Sequence, residues 1–189
     1  SLGAPIRPGS VGRAFDGVEI RLINTDGHDV LVGDIGEIWV RGDNVFPGYY
    51  GDDPATAVVL SPDGWLQTGD MAVADDDGFL YLVDRAKDLV IVSGFNVYPA
   101  EVEGVLTMHP DVHEAGVVGV PHPHTGEAVK AFVVLRHDAD VDEETLIEFC
   151  LGHVARYKYP SKVMFVDELP RNTTGKLVRR RLDDALSVS

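Results

Sequence analysis

Cysteine is nearly missing from this sequence. Cys150 is the single one among 189 residues, which excludes an internal disulfide framework and fits a reducing, cytoplasmic setting. No apolar run reaches the length of a membrane span, and no secretory signal opens the chain. Positive charge is scarce as well. Residues 1–84 hold four arginines and no lysine against 15 acids, a net −11, while residues 85–189 hold 12 bases against 16 acids, a net −4. A nucleic-acid-binding protein would show a broad basic footprint, so that class is disfavoured. Also missing are a dinucleotide glycine fingerprint, a nucleophilic serine elbow and any His/Cys set with metal-ligand spacing. "HPH" (122–124) near His109 and His113 reads as surface histidine, and Cys150 as core packing.

What is present is ordinary for a globular protein: 44% apolar and 25% charged residues, enough for one medium domain or two small ones. The opening "SLGAPIRPGSVGRAF" reads as a loop entered midway, so the expectation is a piece of something longer. The scarce positive charge is concentrated. Residues 155–181 hold eight bases, Arg156, Lys158, Lys162, Arg171, Lys176, Arg179, Arg180 and Arg181, against Asp167 and Glu168. One basic stretch on an acidic body suits a protein that offers charge at one spot to a small polyanion; on charge alone, a solvated helix end is the stronger reading of the arginines.

Along the chain the hydrophobic period changes. "VEIRLI" (18–23), "GEIWVRG" (36–42), "WLQTGDMAVAD" (65–75) and "GFLYLVD" (78–84) read as strands of a small, strongly bent antiparallel sheet, with a short helix at "DPATAVVL" (53–60). From Arg85 onward the pattern mixes types. "LVIVSGFNV" (89–97) predicts a hairpin bent at Gly94, and "YPAEVEGVLTMHP" (98–110) a helix with Pro99 in its first turn. Strands follow at 115–120 and 128–135, then an amphipathic helix over 142–157, a last strand over 162–169 and a closing helix over 176–186. Two units therefore meet near residues 84–88, at the polar "VDRAKDLV".

Two motifs invite chemistry. "TTGK" is not a phosphate-binding loop, because Pro170 and Leu177 stand where that loop needs Gly and Ser/Thr. Lys176 remains available as a point charge on a flexible loop. Asp70, after a Thr-Gly turn, could accept two hydrogen bonds from a vicinal diol such as ribose; taken alone, an Asp satisfying its own turn is the stronger reading.

Singly these signals are weak, but in order they are specific. "GEIWVRGDNVFPGYY" (36–50), "GWLQTGD" (64–70), "VDRAKDLVIVSGFNVYPAEVE" (83–103), "ARYKYPSKVMFVDELP" (155–170) and "PRNTTGKLVRR" (170–180) together resemble the C-terminal part of adenylate-forming enzymes, most of all bacterial long-chain fatty acyl-CoA synthetases. The resemblance implies an α+β fold: the last, β-rich distorted-barrel subdomain of a large domain over 1–84, then a mobile α+β C-terminal domain over 85–189, with a hinge near 84–88. It implies an ATP-dependent ligase that turns a fatty acid into acyl-AMP and then passes the acyl group to CoA. Lys176 corresponds to the lysine that stabilises adenylation, Asp70 and Arg85 to the ribose-binding pair, and Lys87 to the hinge. Ser93, Gly94 and Phe95 correspond to the pantetheine tunnel, where a side chain at 94 would obstruct the thiol. Arg156, Lys158 and Arg179 to Arg181 are candidates for CoA phosphates.

The family segments that hold the triphosphate, adenine and Mg²⁺ lie upstream of this chain, so the fragment alone is expected to be inactive, with no metal site of its own. A fatty acyl-AMP ligase, a luciferase-like or aryl-CoA ligase, and a non-catalytic CoA- or nucleotide-binding module are the rival readings. The resemblance further implies a lysine acetyltransferase acting on Lys176, and leaves room for peripheral association of the whole protein with a membrane.

Overall fold

The computed structural model describes residues 7–182. The chain divides after Lys87 into two compact units, and each is described by itself.

The first unit is an antiparallel meander, β1 (Val18–Ile23), β2 (Ile35–Gly42), β3 (Leu66–Ala74) and β4 (Leu80–Arg85), paired in that order. Alternation places Leu22, Ile38, Ala72 and Leu80 in one apolar cluster, flanked by Ile20, Val30, Val40 and Ala74. Register shifts between Glu37 and Trp39 and between Met71 and Ala72 interrupt the ladders. Such bulges bend a strand and strengthen its twist, which gives the bent sheet the sequence predicts. Helix α1 (Asp53–Val59) is capped by Asp52, whose carboxylate accepts the Ala55 amide at 2.9 Å, and it buries no residue.

The second unit is built on a mixed sheet. A hairpin, β5 (Val90–Val92) and β6 (Phe95–Val97), precedes α2 (Pro99–Thr107). Two long strands, β7 (Val112–His122) and β8 (Gly126–Leu135), then α3 (Glu143–Leu151) and β9 (Lys162–Phe165), complete it. The strand order is β6-β5-β8-β7, with β9 parallel to β8. Central strand β8 is buried on both faces, hence its near-continuous apolar run. Val129, Ala131 and Val133 face a cluster with Val102 and Leu106 of α2 and Leu146 and Cys150 of α3. Phe132 points the other way, against Leu169, Leu177 and Leu182 of the C-terminal segment. Burial pushes the Cys150 thiol up to about 11.

Three boundaries differ from the sequence expectation. Helix α3 stops at Leu151 rather than running to 157, because Gly152 ends it. The apolar face nevertheless continues through a turn, with Val154, Tyr157 and Tyr159 packed on the same cluster. Strand β9 ends at Phe165, since the chain then crosses so that Leu169 covers the far face of the sheet. Within the expected closing helix, Leu177 forms an isolated bridge with Arg171 and Arg179–Arg181 make a 3₁₀ turn; residues 183–186 lie outside the described residues. Among the described residues no helix is long and apolar enough to cross a membrane.

Candidate functional site

Asp70 and Arg85 are brought together by the register of β3 and β4, in which they are direct partners. The Arg85 Nε lies 2.7 Å from Asp70 Oδ1, with both side chains open to solvent. The turn before Asp70 is satisfied by other groups. Thr68 Oγ1 donates to the Ile38 carbonyl and accepts the Asp70 amide, and Glu37 accepts the Gly69 amide at 3.0 Å through one oxygen and Trp39 Nε1 at 3.1 Å through the other. Gly69 itself has φ +73°, a conformation side chains avoid. The turn therefore does not consume the Asp70 carboxylate: one oxygen faces Arg85 and the second accepts no hydrogen bond among the described residues. That leaves it able to accept from a hydroxyl pair. Nothing in the sequence singles out Glu37, which stands beside the register shift between Glu37 and Trp39.

Lys176 stands on a loop closed by its own hydrogen bonds. Asn172 closes it: its Oδ1 accepts from the Thr174 amide, the Thr174 hydroxyl and the Lys176 amide at 2.8–3.0 Å, while its backbone exchanges with Lys176 and Gly175. Such Asx turns are legible in an Asn followed by Thr-Thr-Gly, and this signal was available in "NTTGK". Gly175 supplies the left-handed residue, φ +80°. Arg171 straps the loop, donating to the Gly175 carbonyl at 2.7 Å and to Glu114 at 2.8 Å. The Lys176 side chain projects into solvent, and among the described residues its ammonium meets no acceptor. The result is a solvent-facing cation on a hydrogen-bonded loop.

Ser93 and Gly94 form the two-residue turn between β5 and β6, with φ +52° and +83°. Positive φ at both positions is the geometry of a type I′ hairpin. A Cβ on Gly94 would meet nothing within 4 Å, so within this unit backbone conformation, not crowding, favours glycine. Phe95, 55% exposed, stacks on Tyr157 with centroids 4.7 Å apart and planes 24° apart. The fold thus joins the hairpin to the "YKYP" segment carrying Arg156 and Lys158. Those two bases differ: Arg156 is exposed, whereas Lys158 is held by both Glu101 oxygens at 2.7 and 2.8 Å. Arg179 is likewise engaged, with Glu103 and Asp88, while Arg180 and Arg181 are exposed. Lys87 is exposed in the 3₁₀ turn Ala86–Asp88, the last residue of the first unit. Among the described residues no group of three or more His, Cys, Asp or Glu side chains is placed to hold a metal.

The site residues thus fall into two groups, Asp70 with Arg85 in the first unit and the hairpin, Arg156, Lys158 and Lys176 in the second. Comparison with known proteins gives this division a context. Residues 101–176 match the AMP-binding enzyme C-terminal domain, and residues 3–50 match the AMP-binding enzyme family. The chain is 49% identical over 176 residues to a long-chain-fatty-acid–CoA ligase of Yersinia pestis, covering 93% of this chain and 31% of that protein. It is 48% identical over 174 residues to a 2-succinylbenzoate–CoA ligase of Geobacillus kaustophilus, covering 92% of this chain and 35% of that one. The crystal structure of ATP-bound MatB from Rhodopseudomonas palustris superposes with a TM-score of 0.87 at 43% identity, over 94% of this chain and 35% of that chain. The chain therefore spans about a third of the length of the relatives it matches. By sequence and by fold, the chain belongs to the adenylate-forming family of AMP-binding enzymes and carries their C-terminal domain.

Proposed function

We propose that this chain is the C-terminal part of an AMP-forming acyl-CoA ligase acting on a long-chain fatty acid. In the first half-reaction a carboxylate oxygen attacks the α-phosphate of MgATP and pyrophosphate leaves; in the second the CoA thiol attacks the acyl carbonyl and AMP leaves. The observation that carries this reading is Lys176, whose ammonium meets no acceptor among the described residues and stands on a loop whose backbone is held by Asn172. Its charge would meet the carboxylate and α-phosphate oxygens as negative charge builds up between them. Asp70 would accept the ribose hydroxyls, with Arg85 fixing its orientation. Lys87 would absorb backbone rotation between the units. Ser93, Gly94 and Phe95 would line the approach of pantetheine, and exposed Arg156 is better placed than Lys158 to meet a CoA phosphate, since Glu101 already occupies Lys158. Mg²⁺ would arrive with ATP and be held upstream of this chain. An acetyltransferase reaching the exposed Lys176 would remove its charge and stop the first half-reaction.

Nearly equal identity to the 2-succinylbenzoate–CoA ligase supports a second reading, in which the carboxylate belongs to an aromatic acid. The test is thioester formation by the full open reading frame with ATP and CoA, offered fatty acids and aromatic acids in competition. Preference for fatty acids, with this chain alone inactive, supports the proposal. Preference for aromatic acids replaces the substrate, and inactivity with every carboxylate removes the ligase reading.

A further inference from the structure

The C-terminal segment that carries Lys176 is fastened to the second unit in two different ways. Leu169, Leu177 and Leu182 pack on the sheet face around Phe132, where Gly116 permits the approach: a Cβ there would lie 3.0 Å from Leu182 and 3.4 Å from Leu177. Apolar contact of this kind is non-directional, so it holds the segment down without fixing its rotation or register. The second fastening is directional. Three residues beyond Lys176, Arg179 presents its fork to Glu103 of α2, with Nε to Oε1 at 2.9 Å and Nη2 to Oε2 at 2.7 Å. Its Nη1 reaches Asp88, the first residue of the unit, at 3.2 Å. Glu103 is tied in turn to the sheet, accepting the Val117 amide at 2.9 Å.

These groups are largely sheltered, with side chains 19% exposed for Arg179, 16% for Glu103 and 23% for Asp88. A two-point guanidinium–carboxylate pair in such a setting specifies orientation as well as contact, and lysine cannot reproduce it. By contrast, the pair between Arg171 and Glu114 on the near side of the loop is more open and single-pointed.

Resting on the adenylation role read for Lys176 above, we propose that Arg179 is a positioning residue for that lysine: its clamp on Glu103 and Asp88 fixes the direction in which the Lys176 loop leaves the sheet. It touches no substrate and acts only through the loop. Losing the clamp would misplace the ammonium by a fraction of its reach while the apolar contacts keep the segment folded.

The test uses the full-length enzyme and separates the half-reactions. Arg179→Gln is predicted to slow acyl-adenylate formation about 10-fold or more through kcat, with KM for ATP little changed. Thioester formation from supplied acyl-adenylate and CoA, which needs no Lys176, is predicted to hold. Equal loss in both half-reactions would show a merely structural role and overturn the proposal, as would unchanged adenylation. If Arg179→Gln does not fold, Arg179→Lys, which keeps charge between the two carboxylates, is read by the same criteria. Lys176→Ala, assayed alongside, separates two failures. Wild-type adenylation in that variant removes the role of Lys176 and the inference with it, whereas a dead Lys176→Ala beside an unaffected Arg179→Gln removes the inference alone.

Discussion

In the unit ending at Lys87 the buried apolar cluster comprises Leu22, Ile38, Ala72 and Leu80, and two of the unit's ion pairs, Arg21–Asp29 and Arg41–Glu19, are exposed. In the unit starting at Asp88, twelve buried residues share one cluster and Phe132, Leu169 and Leu182 make another on the opposite sheet face. Exposed pairs contribute little, so the first unit relies on this smaller cluster and on Ile23, Trp65, Met71 and Phe79, which are buried outside it. It also leaves Val11, Phe15, Leu31 and Val32 at its surface. The difference bears on function. The residue proposed for the chemical step stands on the unit with the larger buried cluster, and the carboxylate proposed to bind a diol stands on the unit with the smaller one.

The sharpest way to break this comparison is to remove one leucine from each core. Leu146→Ala, at a fully buried position, is predicted to cost about 2–5 kcal/mol in denaturant unfolding. Leu22→Ala, at the edge of the smaller cluster, is predicted to cost clearly less; equal losses would erase the distinction. Next in size, Asp70→Asn in the full-length enzyme removes a charged acceptor and should raise KM for ATP roughly 10-fold with kcat nearly kept. A fall in kcat alone would place Asp70 in the chemistry instead.

Gly94 separates conformation from space. Gly94→Ala should destabilise the second unit by about 1 kcal/mol through its positive φ. Gly94→Asn, which tolerates that φ better, should recover most of the stability while still slowing the CoA half-reaction. Recovery of both would leave the turn as the whole reason for glycine.

The smallest effect is one of pH. The buried Cys150 thiol keeps its proton up to about 11 against an ordinary 9.0, so the unfolded chain loses that proton first. The contribution is fully present below pH 9.0 and is lost as pH rises through about 11. Thermal melts of wild type and Cys150→Ala compared across that window should converge toward its upper end, and a constant gap would contradict the burial argument.

Much of this was legible in the sequence because local rules and tertiary packing agree. The four strands of the meander, the Ser93–Gly94 turn and the start of α2 at Pro99 each follow from period and turn chemistry. The ends of α3 and β9 did not. There the apolar pattern continues past the element, since Val154 reaches the core from a turn and Leu169 from a crossing segment. Asp70, Arg85 and Lys176 stood out only through their ordered motifs. Their supports, Glu37, Asn172 and Arg179, depend on partners far away in sequence or on side-chain direction, which periodicity does not carry.

The central claim, that the second unit brings the cation for adenylation, is tested most directly by Lys176→Ala in the full-length enzyme. Fatty-acid-dependent pyrophosphate release is predicted to fall by on the order of 10²-fold or more, while CoA thioester formation from supplied acyl-adenylate continues. Undiminished pyrophosphate release, or an equal collapse of both half-reactions, would contradict it.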